Sequence, residues 1–131
     1  MSAVRSRDTL PELTVRQGLH ALGFRYRLHS NRLLGRPDLV LPKFRAVIWI
    51  HGCFWHGHTC PAGKLPETRR EFWEMKINRN RERDSNAIAA AQRERWRTLV
   101  VWECSIKANG ADPVVAAIAK WLRSDKTSGE I

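Results

Sequence analysis

A chain of 131 residues, 43% hydrophobic and 27% charged, has the length for one compact domain around a single core and not for a modular multidomain enzyme. No apolar run approaches the roughly 20 residues of a bilayer span, which excludes a helical membrane protein. Twenty-three Lys and Arg against thirteen Asp and Glu leave a net charge of +10, which favours a polyanionic partner, nucleic acid before an acidic membrane surface.

In chain order, Thr9-Leu10-Pro11-Glu12 reads as a capping box: the Thr hydroxyl accepts from the third helical N–H while Glu12 reaches back. The helix it opens should run to about Leu22 and stop at Gly23, with Val15, Leu19 and Leu22 as its buried stripe. Glu12 falls on the same side as that stripe. An inward carboxylate needs a partner, either the capping box itself or a metal or catalytic group. Short segments rich in β-formers follow at Phe24 to Leu28, Asp38 to Leu41, Ala46 to His51 and Thr98 to Glu103, separated by Gly, Pro and Asn. Between the last two, a second capping box, Thr68 to Glu71, opens a long polar helix expected to end near Glu94. Asp112-Pro113 supplies the N-cap and first helical residue of a final helix with Val114, Ile118, Trp121 and Leu122 on its apolar face. The expected fold is α/β, one mixed sheet flanked by helices. The ordered core should span about residues 8 to 122 of a single domain, 1 to 131, and the polar tail from Ser124 should be flexible.

Three cysteines, an odd number, and an N-terminus without the apolar stretch of a signal peptide argue for a reducing, cytoplasmic setting. Cysteine there serves as buried filler, reactive thiol or metal ligand. From His51 to Cys60 the chain reads His-Gly-Cys-Phe-Trp-His-Gly-His-Thr-Cys, three histidines and two cysteines in ten residues. Thiolate and imidazole suit Zn²⁺, and a compact loop supplying several ligands suits a structural site. Cys104, at the end of the last predicted strand, would tie the loop Cys53-x4-His58-x-Cys60 to the sheet. Spacing alone does not choose among His51, His56 and His58, and Cys53 and Cys104 could instead be small buried hydrophobes.

Asp38 stands where the loop Gly35-Arg36-Pro37 becomes a strand. Phosphodiester cleavage with Mg²⁺ needs a hard oxygen ligand on such a rigid element, although a turn or strand cap would also explain the residue. Phe54 and Trp55 lie in a polar loop where a core position is not expected, so their rings can enter a base stack, and Trp73 is either their companion or core. Trp49, Trp102 and Trp121 are core candidates. Arg69, Arg70, Lys76, Arg79, Arg81 and Arg83 crowd the long helix, with Arg36 and Lys64 in flanking loops. They form a solvated face or a set of phosphate clamps.

Taken together, Gly35-Arg36-Pro37-Asp38, the block Val47 to His58, Glu71-Phe72-Trp73 with Lys76-Ile77, Arg83-Asp84 and Val101-Trp102-Glu103-Cys104 resemble the very short patch repair (Vsr) endonuclease family over about residues 8 to 122. That resemblance implies a zinc-containing, restriction-endonuclease-like fold that nicks DNA 5′ to the T of a T·G mismatch left by deamination of 5-methylcytosine. It implies Asp38 and the backbone carbonyl of Ile50 as Mg²⁺ ligands and His56 as the group that activates water. His51 would assist at the scissile phosphate, with Glu12 in the same active site. Cys53, His58, Cys60 and Cys104 would hold zinc, and Phe54, Trp55 and Trp73 would wedge beside the mismatch. The expected partner is double-stranded DNA, with mismatch-repair proteins as further candidates and no membrane, for a monomer on the nucleoid of a prokaryote.

Two departures stand out. Ile50 occupies a position where the family often carries Thr, which a backbone ligand tolerates. Only eleven residues precede Glu12, fewer than in members with a DNA-gripping arm, which bears on affinity and mismatch strictness. The alternatives are a related nickase for another mismatch, modified base or sequence, and a zinc-stabilised DNA-binding module without catalysis.

Overall fold

A computed structural model describes residues 9–29, 33 and 35–131. The described elements are α1 (Leu10–Ala21), β1 (Arg27–Leu28), β2 (Leu39–Leu41), β3 (Ala46–His51), α2 (Arg70–Arg93), β4 (Arg97–Trp102), α3 (Glu103–Asn109), α4 (Ala111–Leu122) and β5 (Ser128–Glu130). The strands form one mixed sheet in the order β1-β2-β3-β4-β5, antiparallel from β1 to β3 and parallel from β3 to β5. Among the described residues no helix is long and apolar enough to cross a membrane.

The central pair β3 and β4 is covered on both faces, which is why both read as nearly unbroken apolar runs. Side chains alternate. Ala46 and Ile48 of β3, with Leu99 and Val101 of β4, join Val15, Leu19, Val114, Ile118 and Leu122 in a core beneath α1 and α4. Val47 and Trp49 face the other way, onto Ala87 and Ala91 of α2. Continuing that alternation delivers His51 to the α2 side of the sheet and the Ile50 side chain to the α1 and α4 side.

Two glycines let α2 approach. Gly35 has φ +78°, and a Cβ there would stand 2.3 Å from Ala87 Cβ. Gly57 has φ +64°, and its Cβ would stand 2.6 Å from Ile77 and Arg81 side-chain atoms. Any other residue would force the loops before β2 and after β3 away from the helix.

Several expectations need correction. Leu22 caps α1 rather than continuing its stripe and is 51% exposed. The Thr68 capping box does not form: α2 begins at Arg70 behind a left-handed Arg69 (φ 56°), which sets Thr68 outside the cap position. Thr98 to Glu103 does not end in a strand at Cys104, because β4 gives way at Glu103 to the unforeseen α3. The last helix starts from Gly110, leaving Asp112 and Pro113 inside its first turn.

The tail from Ser124 is not loose, since Ser128–Glu130 pair with β4. The Ile131 N–H donates to the Val100 carbonyl at 2.9 Å. A central parallel strand exposes backbone groups at its free edge, and a polar segment satisfies them as well as an apolar one.

Candidate active and metal sites

The loop leaving β3 folds back on itself. The N–H groups of His56, Gly57 and His58 donate to the carbonyls of Gly52, Phe54 and Cys53 at 3.0 to 3.3 Å. The β3–β4 register, His51 opposite Trp102, then brings Cys53 beside Cys104 in the first turn of α3. Cys53, His58, Cys60 and Cys104 converge, with one ligand atom of each within 4.8 Å of all the others. Cys104 Sγ lies 3.5 Å from His58 Nδ1. A tetrahedral ion with bonds of about 2.0 to 2.3 Å separates its ligands by roughly 3.5 Å, so this donor set fits zinc. Burial, followed by the neighbouring sulfurs, pushes the Cys53 thiol up to about 12. Against a desolvation cost, hydrogen bonds with His58 and Cys53 draw the Cys60 thiol down to about 7, so the cluster holds a thiol ready to ionise and bind a cation.

Beside this cluster lies a pair of histidines. The His51 and His56 rings stack in parallel, 3.9 Å apart with 3° between planes. Asp84 Oδ2 is 2.6 Å from His56 Nδ1, which directs Nε2 of that ring away from the carboxylate. His51 is 5% exposed and its Nδ1 has no hydrogen-bond partner. Burial, and then the adjacent His56, drops its pKa to about 4, with Asp84 pulling the other way. His51 is therefore a neutral ring near pH 7. Although His51, His56 and Asp84 are close enough to be ligands, two parallel rings cannot both aim in-plane lone pairs at one ion. A carboxylate-held imidazole with its second nitrogen free of that contact is chemically suited to proton transfer.

Asp38 and Glu12 meet on the far side of β3. The Ile50 N–H donates to Asp38 Oδ2 at 2.6 Å, tying the carboxylate to the residue before His51. Glu12, 2% exposed, projects from the buried stripe of α1. Its N–H is capped by Thr9 at 3.4 Å, but its side chain does not close the box: Oε2 meets Arg16 at 3.1 Å and His29 Nε2 at 2.5 Å. Burial raises the Asp38 pKa to about 7, Glu12 adds to the rise, and the Ile50 N–H opposes it. A desolvated carboxylate pair of this kind, Glu12 buried and Asp38 half-buried, favours a cation.

The aromatic residues also gather. Phe54, Trp55 and Trp73 are half-buried, with ring centroids 5.1, 5.3 and 5.9 Å apart, edge to face. The buried Asn80 of α2 donates to the Trp55 carbonyl at 2.9 Å. Trp49 and Trp121 are core as expected, but Trp102 is only half-buried. It stacks on His58 at 4.0 Å, meets His51 edge-on at 5.2 Å and donates to Glu130 at 2.8 Å.

Arg36, Lys64, Arg69, Lys76 and Arg79 are exposed. Lys76 and Arg79 line a groove of about 660 Å³ along α2 with Phe72, Met75, Asn80 and Arg83. Arg70 is engaged by Glu67 and Glu74, and the Arg69 guanidinium lies over Phe72.

Sequence reasoning gave no role to Asp84 or His29. Asp84 had a readable signal: it sits on the stripe of α2 marked by Ile77, Asn80, Ala87 and Ala91, where a carboxylate requires a partner.

A family profile described as DNA mismatch endonuclease Vsr matches residues 1–62. The type II nicking enzyme V.XorIIP of Xanthomonas oryzae pv. oryzae is 50% identical over 111 residues, covering 85% of this chain and 82% of that protein. V.NmeAIP of Neisseria meningitidis serogroup A, also a type II nicking enzyme, is 43% identical over 107 residues, covering 82% and 76%. DNA mismatch endonuclease Vsr of Escherichia coli K12 is 38% identical over 134 residues, covering all of this chain and 86% of that protein.

Proposed function

The chain belongs to the Vsr family and is a DNA endonuclease, and from that premise we propose that it nicks one strand of duplex DNA 5′ to the T of a T·G mismatch, with Mg²⁺. The observation that carries this reading is the linkage at the end of β3: Asp38 is bound by the Ile50 N–H, and the next residue, His51, stacks on the Asp84-held His56. A cation-binding carboxylate and a proton-accepting imidazole thus flank one strand end.

In this reading Asp38 and the Ile50 carbonyl would hold Mg²⁺, which when bound sets positive charge against the scissile phosphate. His56 takes the proton of the attacking water at Nε2, its Nδ1–H fixed by Asp84. His51, neutral, contributes a hydrogen bond at the phosphate rather than a charge. Glu12 completes the acidic side of the site.

Cys53, His58, Cys60 and Cys104 would hold a structural zinc that fastens the loop after β3 to α3. Phe54, Trp55 and Trp73 form the wedge, and Arg36, Lys64, Arg69, Arg70, Lys76 and Arg79 lie along the phosphates. The whole would be a single, monomeric, restriction-endonuclease-like domain.

The test is nicking of duplexes that carry each mismatch in varied flanking sequence, with Mg²⁺ or with EDTA. Preference for T·G and loss of activity in EDTA support the proposal. Equal cutting of matched DNA, or activity in EDTA, would overturn it. The relatives named as type II nicking enzymes favour a second reading, the same chemistry directed to another mismatch, modified base or sequence. The same panel separates the two.

A further inference from the structure

His29 immediately follows the two-residue strand β1, whose last residue Leu28 pairs across the sheet with Leu39. Its N–H donates to the Asp38 carbonyl at 3.2 Å, so the register places it directly opposite Asp38. Its backbone is left-handed, φ 46°, a conformation uncommon for a residue with a Cβ. From there the imidazole reaches inward to Glu12, with Nε2 2.5 Å from Oε2. Single ligand atoms of Glu12, His29 and Asp38 lie within 4.8 Å of one another. Helix α1, the residue after β1 and the residue before β2 thus bring one nitrogen and two carboxylates within 4.8 Å of one another.

We propose that His29 is a ligand of the cation held by Asp38, making the site a mixed imidazole and dicarboxylate centre that accepts softer divalent ions than carboxylates alone would. The proposal rests on the reading of Asp38 as a cation ligand. Around an octahedral ion with bonds of about 2.1 Å, neighbouring ligand atoms stand roughly 3 Å apart and opposite ones roughly 4.2 Å. The existing spread needs little change. The short His29–Glu12 contact is a hydrogen bond; the ion takes Nε2, the ring keeps one proton on Nδ1, any second proton leaves to solvent as metal binding generally requires, and the two groups then part by about half an ångström.

Charge is consistent with an ion here. Two carboxylates face this position, with Arg16 on Glu12 among the described partners. Ligand softness gives the functional consequence. Oxygen donors suit Mg²⁺, whereas an imidazole raises affinity for transition-metal ions relative to Mg²⁺.

Pulsed EPR of Mn²⁺ added to the full, zinc-loaded chain reads the ligands directly. In the unaltered protein, ¹⁴N coupling to bound Mn²⁺ is expected. His29→Gln should keep Mn²⁺ bound but lose that coupling, and should lower the Mn²⁺-over-Mg²⁺ affinity ratio by roughly tenfold. His29→Asn, which tolerates the left-handed backbone, is the second variant if His29→Gln misfolds. Unchanged ¹⁴N coupling in either folded variant would overturn the proposal, as would its absence from the unaltered protein with Mn²⁺ bound. Asp38→Asn separates this failure from that of its premise: Mn²⁺ bound as tightly and with the same spectrum in that variant would remove Asp38 itself from the ligands.

Discussion

The Cys53–His58–Cys60–Cys104 cluster and the Glu12–His29–Asp38 cluster lie at one end of the same strand and are built on opposite plans. Three of the four members of the first come from eight consecutive residues, and their spacing suits a tetrahedral ion. The second draws one residue from each of three places in the fold, and desolvation lifts its half-buried Asp38 to a pKa of about 7, above the usual carboxylate range. A closed site of soft ligands would fasten a loop to the fold, whereas a desolvated carboxylate pair stores electrostatic cost that a cation relieves. Phe54 and Trp55 ride on the first cluster's loop, so under the proposed function recognition would depend on one cluster and chemistry on the other.

The comparison is broken most severely at Asp38. Asp38→Ala should abolish nicking while leaving DNA binding largely intact, because no phosphate-clamping cation is lost. Near-normal nicking would end the catalytic assignment. Asp38→Asn should also be more stable than the unaltered chain in EDTA at pH 8. A folded pKa raised to about 7 means that the folded state holds the proton more tightly than the unfolded one. Stability from this group is therefore present below about pH 4 and is lost as pH rises through 7. Three pKa units set an upper bound of about 4 kcal/mol. Melting curves in EDTA should show the Asn variant ahead at pH 8 and the gap closing near pH 4. A gap that did not depend on pH would show that Asp38 is not under this strain.

His56→Ala should slow single-turnover cleavage by roughly 10²- to 10⁴-fold, the usual loss of a general base. Asp84→Asn should slow it less, since the ring remains and only its orientation is released. Equal rates for Asp84→Asn and the unaltered chain would mean that the 2.6 Å contact does not matter to the reaction.

The same contrast governs what the sequence reveals. The strands β2, β3 and β4 were legible within a residue or so because strands buried on both faces write themselves as apolar runs, and three of the four zinc-type ligands because a loop keeps them together. Asp38 and Glu12 could be singled out one at a time, by a strand start and a helix stripe. Their meeting could not, since it depends on how α1 packs against the sheet. His29 carries no local signal at all: its role comes from register with Asp38. β5 was missed because strand propensity reports side-chain burial, and this strand forms through backbone pairing at an open edge. The start of α2 was misread because a Thr-x-x-Glu spacing fits many helix openings, and here a left-handed Arg69 displaced it.

Cys104→Ser tests the closed site. Loss of one thiolate should lower zinc content and melting temperature together, because structural zinc contributes directly to folding. Cleavage by the surviving folded fraction should change little beyond its discrimination. One zinc per chain with an unchanged melting curve would show that Cys104 is not a ligand and that the two clusters do not differ as described.

The smallest effects should come from the surface that the closed site supports, and they divide by chemistry. Phe54 and Trp55 stand on the metal-type loop and Trp73 on the first turns of α2, with Asn80 holding the Trp55 carbonyl. Inserting rings between bases costs a few kcal/mol of unstacking, less where a T·G wobble has already weakened the step. The wedge should therefore favour mismatched over matched duplex. Arg79, on the exposed face of α2, meets phosphates that are alike in both. Replacing Trp55 and Trp73 by Ala should narrow the ratio of kcat/KM between the two duplexes by roughly tenfold or more. Arg79→Ala should weaken both alike, by a few-fold, and flatten the dependence on salt by about one phosphate contact. Measuring kcat/KM on matched and T·G duplexes at several salt concentrations separates these outcomes. If the double Trp variant kept the full ratio, discrimination would have to lie in hydrogen bonds to base edges, and the wedge would be a packing feature of the loop.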